Sequence, residues 1–240
     1  MQQYRQIALG VTRHAPTAPA GATPLDDSAL ADLRRAVFER DDFTCGWCGF
    51  RAKRYQDVRY LNGNALDQRT QNMATICLFC AQCFALEGVS ERRSGSLVWL
   101  PEFDQAQLNH LARAIYIARI TSGAMADAAR MALDALMQRR EEAAARLGTD
   151  DTGVLATVLQ DLLEDYEYEV RGAKLDGIRL LPHDRRIIRE GDLEFNQFPQ
   201  ILAYWRSKDG PFGGSLPASW ADNFLEVQDA VGAKLGADAA

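Results

Sequence analysis

Two Cys-x-x-Cys pairs constrain this chain more than anything else in it: Cys45 with Cys48, and Cys77 with Cys80, with 28 residues between the pairs. All five cysteines fall between positions 45 and 83, the fifth being Cys83. Each pair forms a tight knuckle. Two knuckles together supply four soft ligands in a tetrahedron, the geometry that Zn²⁺ takes with thiolates at about 2.3 Å. Free buried thiols, or two disulfides with one cysteine over, are the plainer alternatives. Met1-Gln2-Gln3-Tyr4-Arg5 lacks the apolar run of a signal peptide. No stretch reaches the ~18 apolar residues of a membrane span. A cytosolic protein is therefore expected, and in that setting disulfides are disfavoured and Cys-x-x-Cys pairs bind metal. The expectation is one structural Zn²⁺ on Cys45, Cys48, Cys77 and Cys80. Cys83, one helical turn beyond Cys80, reads as a core residue or a substitute ligand.

At 240 residues the chain fits one large domain or a small module with a helical extension, and its 47% apolar content is enough for a sizeable core. The net charge of −6 argues against a dedicated nucleic-acid binder. The charge is uneven. Between Phe43 and Arg93 seven basic residues face four acidic ones, so the cysteine region carries about +3 and the rest about −9. A basic metal loop suits phosphate or an acidic partner; a solvated face is the simpler reading.

Along the chain, Tyr4, Ile7, Leu9 and Val11 alternate in part and suggest a strand over residues 4–12. Three prolines and many alanines make Ala15–Pro24 a linker. Asp26, Asp27 and Ser28 then offer capping groups to a helix carrying Leu30, Leu33, Val37 and Phe38. Short strands are expected over 57–61 and 96–101, with Asn62-Gly63-Asn64 as a turn, and Asn72–Cys77 leads into the second knuckle. Asp104 caps a further helix bearing Leu108, Leu111 and Ile115. The next helix runs from Ala124 to Leu147 and stops at Gly148. Val154, Leu155, Val158, Leu159, Leu162, Leu163 and Tyr166 fit one face of a third helix. Gly210-Pro211-Phe212-Gly213-Gly214 is a loop without the lysine of a phosphate cradle. The Ala/Gly-rich end after Val231 reads as frayed.

The run from Arg40 to Gly49, with its Phe43-Thr44-Cys45-x-x-Cys48-Gly49 core, and the later Asn72-Met73-Ala74-Thr75-Ile76-Cys77-x-x-Cys80 resemble the HNH endonuclease family. That resemblance implies a ββα unit with a structural zinc, beside a separate catalytic metal held by histidines. A hydrolytic base must take a proton from water near neutral pH, which histidine does best. The chain has His14, His110 and His183, and none lies between Cys45 and Cys83. Asp57-Val58-Arg59-Tyr60 fills the position of the family's Asp-His or His-His pair, Ala81 stands where a histidine often follows, and Asn72 alone matches. Asn72 in a turn is read as structural. His110 beside an apolar helix face suits packing. Nuclease activity is not expected.

More specific strings are Phe43-Thr44-Cys45-Gly46-Trp47-Cys48-Gly49-Phe50, Tyr55-Gln56-Asp57, Ile76-Cys77-Leu78-Phe79-Cys80-Ala81-Gln82-Cys83-Phe84 and Gly95-Ser96-Leu97-Val98-Trp99-Leu100-Pro101-Glu102. They resemble the DotN (IcmJ) family of the Dot/Icm type IVB secretion system, from about Ala36 to Ile120, with a weaker echo at Ile178–Pro182. The resemblance implies an α+β chain: an HNH-like, zinc-stapled ββα module with a mostly helical C-terminal extension. The expected layout is an N-terminal strand and linker over 1–24, the module with flanking helices over 25–120, and a mainly helical extension over 121–240. It further implies a non-enzymatic adaptor of the type IV coupling complex that binds the cytoplasmic C-terminal tail of a DotL-like coupling ATPase. Such a subunit is cytoplasmic and joined to the inner membrane through its partner. The competing reading is an HNH-family nuclease or a nucleic-acid-binding protein.

Overall fold

In the computed structural model, which describes residues 4–13, 17, 25–215, 217–222 and 225, the first helix α1 (Asp27–Arg40) begins at Asp26. The Asp26 carboxylate accepts from Ala29 N at 2.8 Å, which satisfies one of the free amides of the first turn. The helix delivers the chain to the first knuckle. A hairpin follows, with β1 (Gln56–Tyr60) antiparallel to β2 (Met73–Cys77) and Gln56 opposite Cys77. Every residue of β2 is buried, because α1 covers one face of the hairpin through Val37 and Met73 while Ile76 enters the main core. α2 (Leu78–Cys83) continues from β2 without a gap. The result is the expected ββα order around the cysteines.

α3 (Glu87–Glu91) leads to β3 (Gly95–Trp99). Two long helices come next. α4 (Gln105–Arg119) starts with a capping box in which Asp104 accepts from Gln107 N and Gln107 Oε1 accepts from Asp104 N. α5 (Ala124–Leu147) ends at Gly148, whose φ of +78° is the left-handed stop that glycine adopts freely. The partner of β3 lies far along the chain: β4 (Ile178–Pro182) pairs antiparallel with it, Trp99 opposite Ile178 and Gly95 opposite Pro182. A second hairpin, β5 (Ile187–Glu190) with β6 (Leu193–Asn196), precedes α9 (Phe198–Arg206). The region after residue 120 therefore contains strands as well as helices, and one of them completes a sheet begun before residue 100.

Two expectations change. Residues 4–13 form no regular strand. Their amides and carbonyls bond to scattered partners: Arg5 N to Gly46 O, Gly10 N to Cys83 O, and Leu86 N to Gly10 O. Leu9 and Val11 are still buried. The third helix is not continuous either. α6 (Thr152–Thr157) passes into a π-helical turn over Val158–Leu162, and Leu163 is extended with φ −99° and ψ 137°. Glu164 then opens α7 (Asp165–Glu169) through its own capping box with Glu167, and α8 (Arg171–Lys174) follows. Leu155 and Leu159 go inward, whereas Val154, Leu162 and Tyr166 stay in water. A local cap thus overrides the helical period. Ala15–Pro24, Thr17 aside, and the stretch after Val231 lie outside the described residues.

The main core gathers the four paired cysteines, the inner face of α4, and the aromatic side of α9. Trp205 meets Phe50 and Phe79 edge-on, each at 5.6 Å between centroids, and Phe198 stacks parallel to Phe79 at 6.5 Å. A second core, containing Cys83, packs Leu9 and Val11 with Leu86, Val89, Leu97 and residues of α6 and β4.

Candidate metal centre

The first knuckle is built on unusual backbone. Asp42 and Phe43 have φ of 49° and 53°, and Gly49 has φ +73°. These turns let Cys45 N donate to Phe50 O at 3.0 Å and Gly49 N donate to Cys45 O at 2.9 Å. Gly46 N donates to Thr75 O at 3.0 Å, which ties the knuckle to β2. A side chain at 49 would meet the Tyr4 ring and is disfavoured by the backbone, so glycine is required there. The second knuckle uses the strand-to-helix junction. Cys77 ends β2 and caps α2, its Sγ 3.5 Å from Cys80 N, while Cys80 sits inside the first turn.

The sulfurs of Cys45, Cys48, Cys77 and Cys80 all lie within 4.8 Å of one another, and all four residues are buried. Cys48 Sγ and Cys77 Sγ are 3.6 Å apart. A tetrahedron with metal–sulfur bonds of about 2.3 Å has sulfur–sulfur edges of roughly 3.8 Å, so the group has the size to hold a metal ion. Cys83 is not in the group. Its thiol donates to Phe79 O at 3.3 Å and packs in the second core.

What sequence reasoning missed is the lining of the site on α4. Gln105, Asn109 and Arg113 stand at four-residue steps, all buried at 5%, 0% and 1% exposure. They form one polar stripe on a helix face that is otherwise apolar. Arg113 Nη2 donates to Cys77 Sγ at 2.8 Å, and its guanidinium lies 4.0 Å from the Phe50 ring centroid and 4.9 Å from that of Phe79. Asn109 Nδ2 donates to Cys80 Sγ at 3.3 Å. Gln105 Nε2 donates to Asn109 Oδ1 at 3.0 Å and to Leu180 O at 2.7 Å, and Gln105 Oε1 accepts from Leu180 N at 2.9 Å. A hydrogen-bonded line therefore runs from the free edge of β4 to the sulfurs. The signal in the sequence was three polar residues at helical spacing within the apolar set of α4.

The electrostatics divide the four sulfurs. Burial raises the Cys77 pKa, but hydrogen bonds from Cys45, Cys48 and Cys80 and the charge of Arg113 outweigh it, and the net shift is well downward. Hydrogen bonding among the neighbouring sulfurs pushes Cys45 and Cys80 upward. Arg113 has no carboxylate partner among the described residues, and its Nε and Nη1 are buried without hydrogen bonds. A buried guanidinium facing only neutral thiols carries a large desolvation cost. Four thiolates around a divalent cation would supply the compensating negative charge.

The polar residues at the HNH-like positions make contacts that hold the fold. Asp57 is ion-paired with Arg34. Asn72 Nδ2 donates to Asp67 O at 2.8 Å and its Oδ1 accepts from Asn62 N at 3.0 Å, a turn-holding role. His110 Nε2 donates to Cys48 O at 2.7 Å and so braces the first knuckle, rather than only packing. His183 lies beyond β4, its Nε2 3.0 Å from Ser96 Oγ. Among the described residues, no helix is long and apolar enough to cross a membrane.

No family model matches the chain. A curated relative does: the type 4 apparatus protein DotN of Legionella pneumophila strain Philadelphia 1 is 33% identical over 160 residues. The match covers 65% of this chain and 74% of the relative. On that kinship, and with a four-cysteine ββα module of the kind the sequence strings implied, the chain belongs to the DotN family.

Proposed function

We propose that this chain is a non-enzymatic subunit of a type IV secretion apparatus, an adaptor that binds the cytoplasmic C-terminal tail of a coupling ATPase. The observation that carries the reading is the kinship to DotN, which is named as an apparatus protein. Such a subunit works in the cytoplasm and reaches the inner membrane through its partner. In this reading Cys45, Cys48, Cys77 and Cys80 hold one Zn²⁺. Four sulfur ligands leave no open coordination position, so the metal staples the fold and does no chemistry. The absence of a histidine between Cys45 and Cys83 supports a role other than HNH hydrolysis.

Affinity purification from the native host followed by mass spectrometry tests the class, with a coupling-type ATPase expected among the partners. Titrating the purified chain with that ATPase's cytoplasmic tail tests the adaptor role. A docked tail must bury enough apolar surface to offset its lost conformational freedom, so an interface above ~1,200 Å² is expected. No binding at tens of micromolar, with four thiols still holding metal, sinks the adaptor reading. Divalent-metal-dependent nicking of supercoiled DNA that is lost in Asn72→Ala would restore the nuclease reading.

A further inference from the structure

From Asp151 to Val170 the chain carries six acidic residues, Asp151, Asp161, Glu164, Asp165, Glu167 and Glu169, and no lysine, arginine or histidine. Four large apolar side chains that the fold leaves in water lie in the same stretch. Val154 is 51% exposed, Leu162 70%, Tyr166 69% and Val170 60%. Val154 and Leu162 lie about two turns apart along α6 and its π-helical continuation; beyond the break at Leu163, Tyr166 on α7 and Val170 at its C-terminal cap lie one turn apart. Leu155, Ala156 and Leu159 bury in the second core, while Val154 and Leu162 of the same helical stretch stay in water. A π-turn costs backbone regularity and recurs at functional sites. An exposed apolar row rimmed by charge of one sign marks an interaction site.

One cation of the chain already reads this segment. Arg13 donates to Leu159 O at 3.2 Å and Leu163 O at 2.7 Å, and pairs with Asp165 at 3.0 Å. Arg171, the next basic residue, turns inward to Leu9 O and Tyr168 O. Asp161 and Glu169 are exposed and have no ion-pair partner among the described residues.

We propose that the face formed by residues 154–170 docks a cationic amphipathic helix of a protein partner. Resting on the adaptor reading, we take that helix to be a basic stretch of the coupling ATPase's tail. The charge selects the occupant. Nucleic acid and anionic lipid are repelled by it, and a second copy of this face would bring like charges together. A helix with lysines or arginines flanking an apolar row meets both the acids and the exposed Val154, Leu162, Tyr166 and Val170.

The test titrates the full chain with a synthetic amphipathic peptide of lysine and leucine, about five helical turns long, and with the same peptide carrying glutamate for lysine. Binding of the lysine form only is expected. Leu162→Ser with Tyr166→Ser should weaken it ~10-fold or more, and Asp161→Asn with Glu169→Gln several-fold with a flatter salt dependence. Met131→Ser, at an equally exposed site on α5 (72%), should change nothing. Melting curves check that all variants fold. Equal binding of both peptides, or affinity unmoved by the face variants, overturns the proposal. So does self-association of the wild type that Leu162→Ser abolishes, since a second copy is then the occupant. The same variants against the ATPase tail separate the two readings. A tail that binds wild type and face variants alike removes this face and leaves the adaptor role. A tail that fails on wild type, with peptide binding still lost in the variants, removes the adaptor role and leaves the face.

Discussion

At the residue scale, Arg113 couples a helix to the sulfur cluster. Its guanidinium reaches Cys77 Sγ and, at 3.9 Å, Cys48 Sγ, while two aromatic rings cover its faces. Removing it takes a positive charge and a hydrogen bond from the thiolates, and such supporting contacts are worth roughly 10–100-fold in metal affinity. Arg113→Leu is therefore expected to lower zinc affinity in that range by competition with a chromophoric chelator. Arg113→Lys should recover part of it by restoring charge without the planar fork. Equal affinities in all three proteins would show that Arg113 only packs. The cysteines divide in the same way. Cys77→Ser should lose the metal and most of the folded population, since site assembly and folding are linked. Cys83→Ser should keep full metal content and melt only slightly lower, because Cys83 touches the Phe79 carbonyl and not the cluster. Metal content by elemental analysis decides both. Unchanged metal and melting in Cys77→Ser would rule the site out.

At the element scale, the strand pair β3–β4 joins chain segments some 80 residues apart, and two contacts at its ends are testable. Gly177 has φ +78°, and a Cβ there would meet the Trp99 indole within 2.2 Å. Gly177→Ala must displace Trp99, so a destabilisation of about 1–3 kcal/mol in denaturant unfolding is expected. At the other end, burial lowers the His183 pKa, Arg140 adds to the shift, and a backbone bond at Arg93 and the charge of Asp184 offset it only in part. The folded chain thus keeps the ring neutral where the unfolded chain protonates it, below the ordinary value of about 6.5. The unfolded state binds the extra proton, so this contribution is complete above pH ~6.5 and is lost as pH falls below it. Wild type should lose melting temperature between about pH 7.5 and 5.5 more steeply than His183→Gln. Parallel curves would show that His183 does not titrate on unfolding. The β3–β4 pairing was not legible in the sequence, although both strings were visible as strands or echoes. Period-two alternation identifies a strand but says nothing about which distant strand completes it. Local chemistry was legible: the Asp26 and Asp104 caps and the Gly148 stop read directly from residue types, while the strand–knuckle–helix order at Cys77 came only through the family resemblance. The break at Leu163 was missed because Glu164 and Glu167 look like surface acids until they are seen to form a cap. The four cysteines were legible from spacing. Gln105, Asn109 and Arg113 were hidden by the apolar pattern they interrupt.

At the scale of the whole molecule, the cysteine module and the C-terminal helices share one core. Phe198, Ile201 and Trp205 of α9 bury against Phe50 and Phe79, the same two rings that enclose Arg113 beside the sulfurs. Tyr204 adds a bond to the backbone of Lys53 at 2.9 Å. A structural metal contributes folding free energy, because its ligands are assembled only in the folded chain. Here that contribution cannot stay local. With a cation held by the four thiolates, its loss would strip Arg113 of compensating charge, and the rings that pack on Arg113 are those that seat α9. Removing the metal with a strong chelator is therefore expected to expose the Trp205 surroundings together with the knuckles, in one transition. Near-ultraviolet circular dichroism and hydrogen exchange over residues 198–206 and 45–50 should change at the same rate after chelation. Trp205→Ala provides the reverse experiment. Truncating this buried indole costs about 3–5 kcal/mol by cavity formation, and the metal should leave the variant faster than wild type. If instead α9 keeps its protection while the knuckles lose theirs, the cysteine module is an independent unit that only touches its extension.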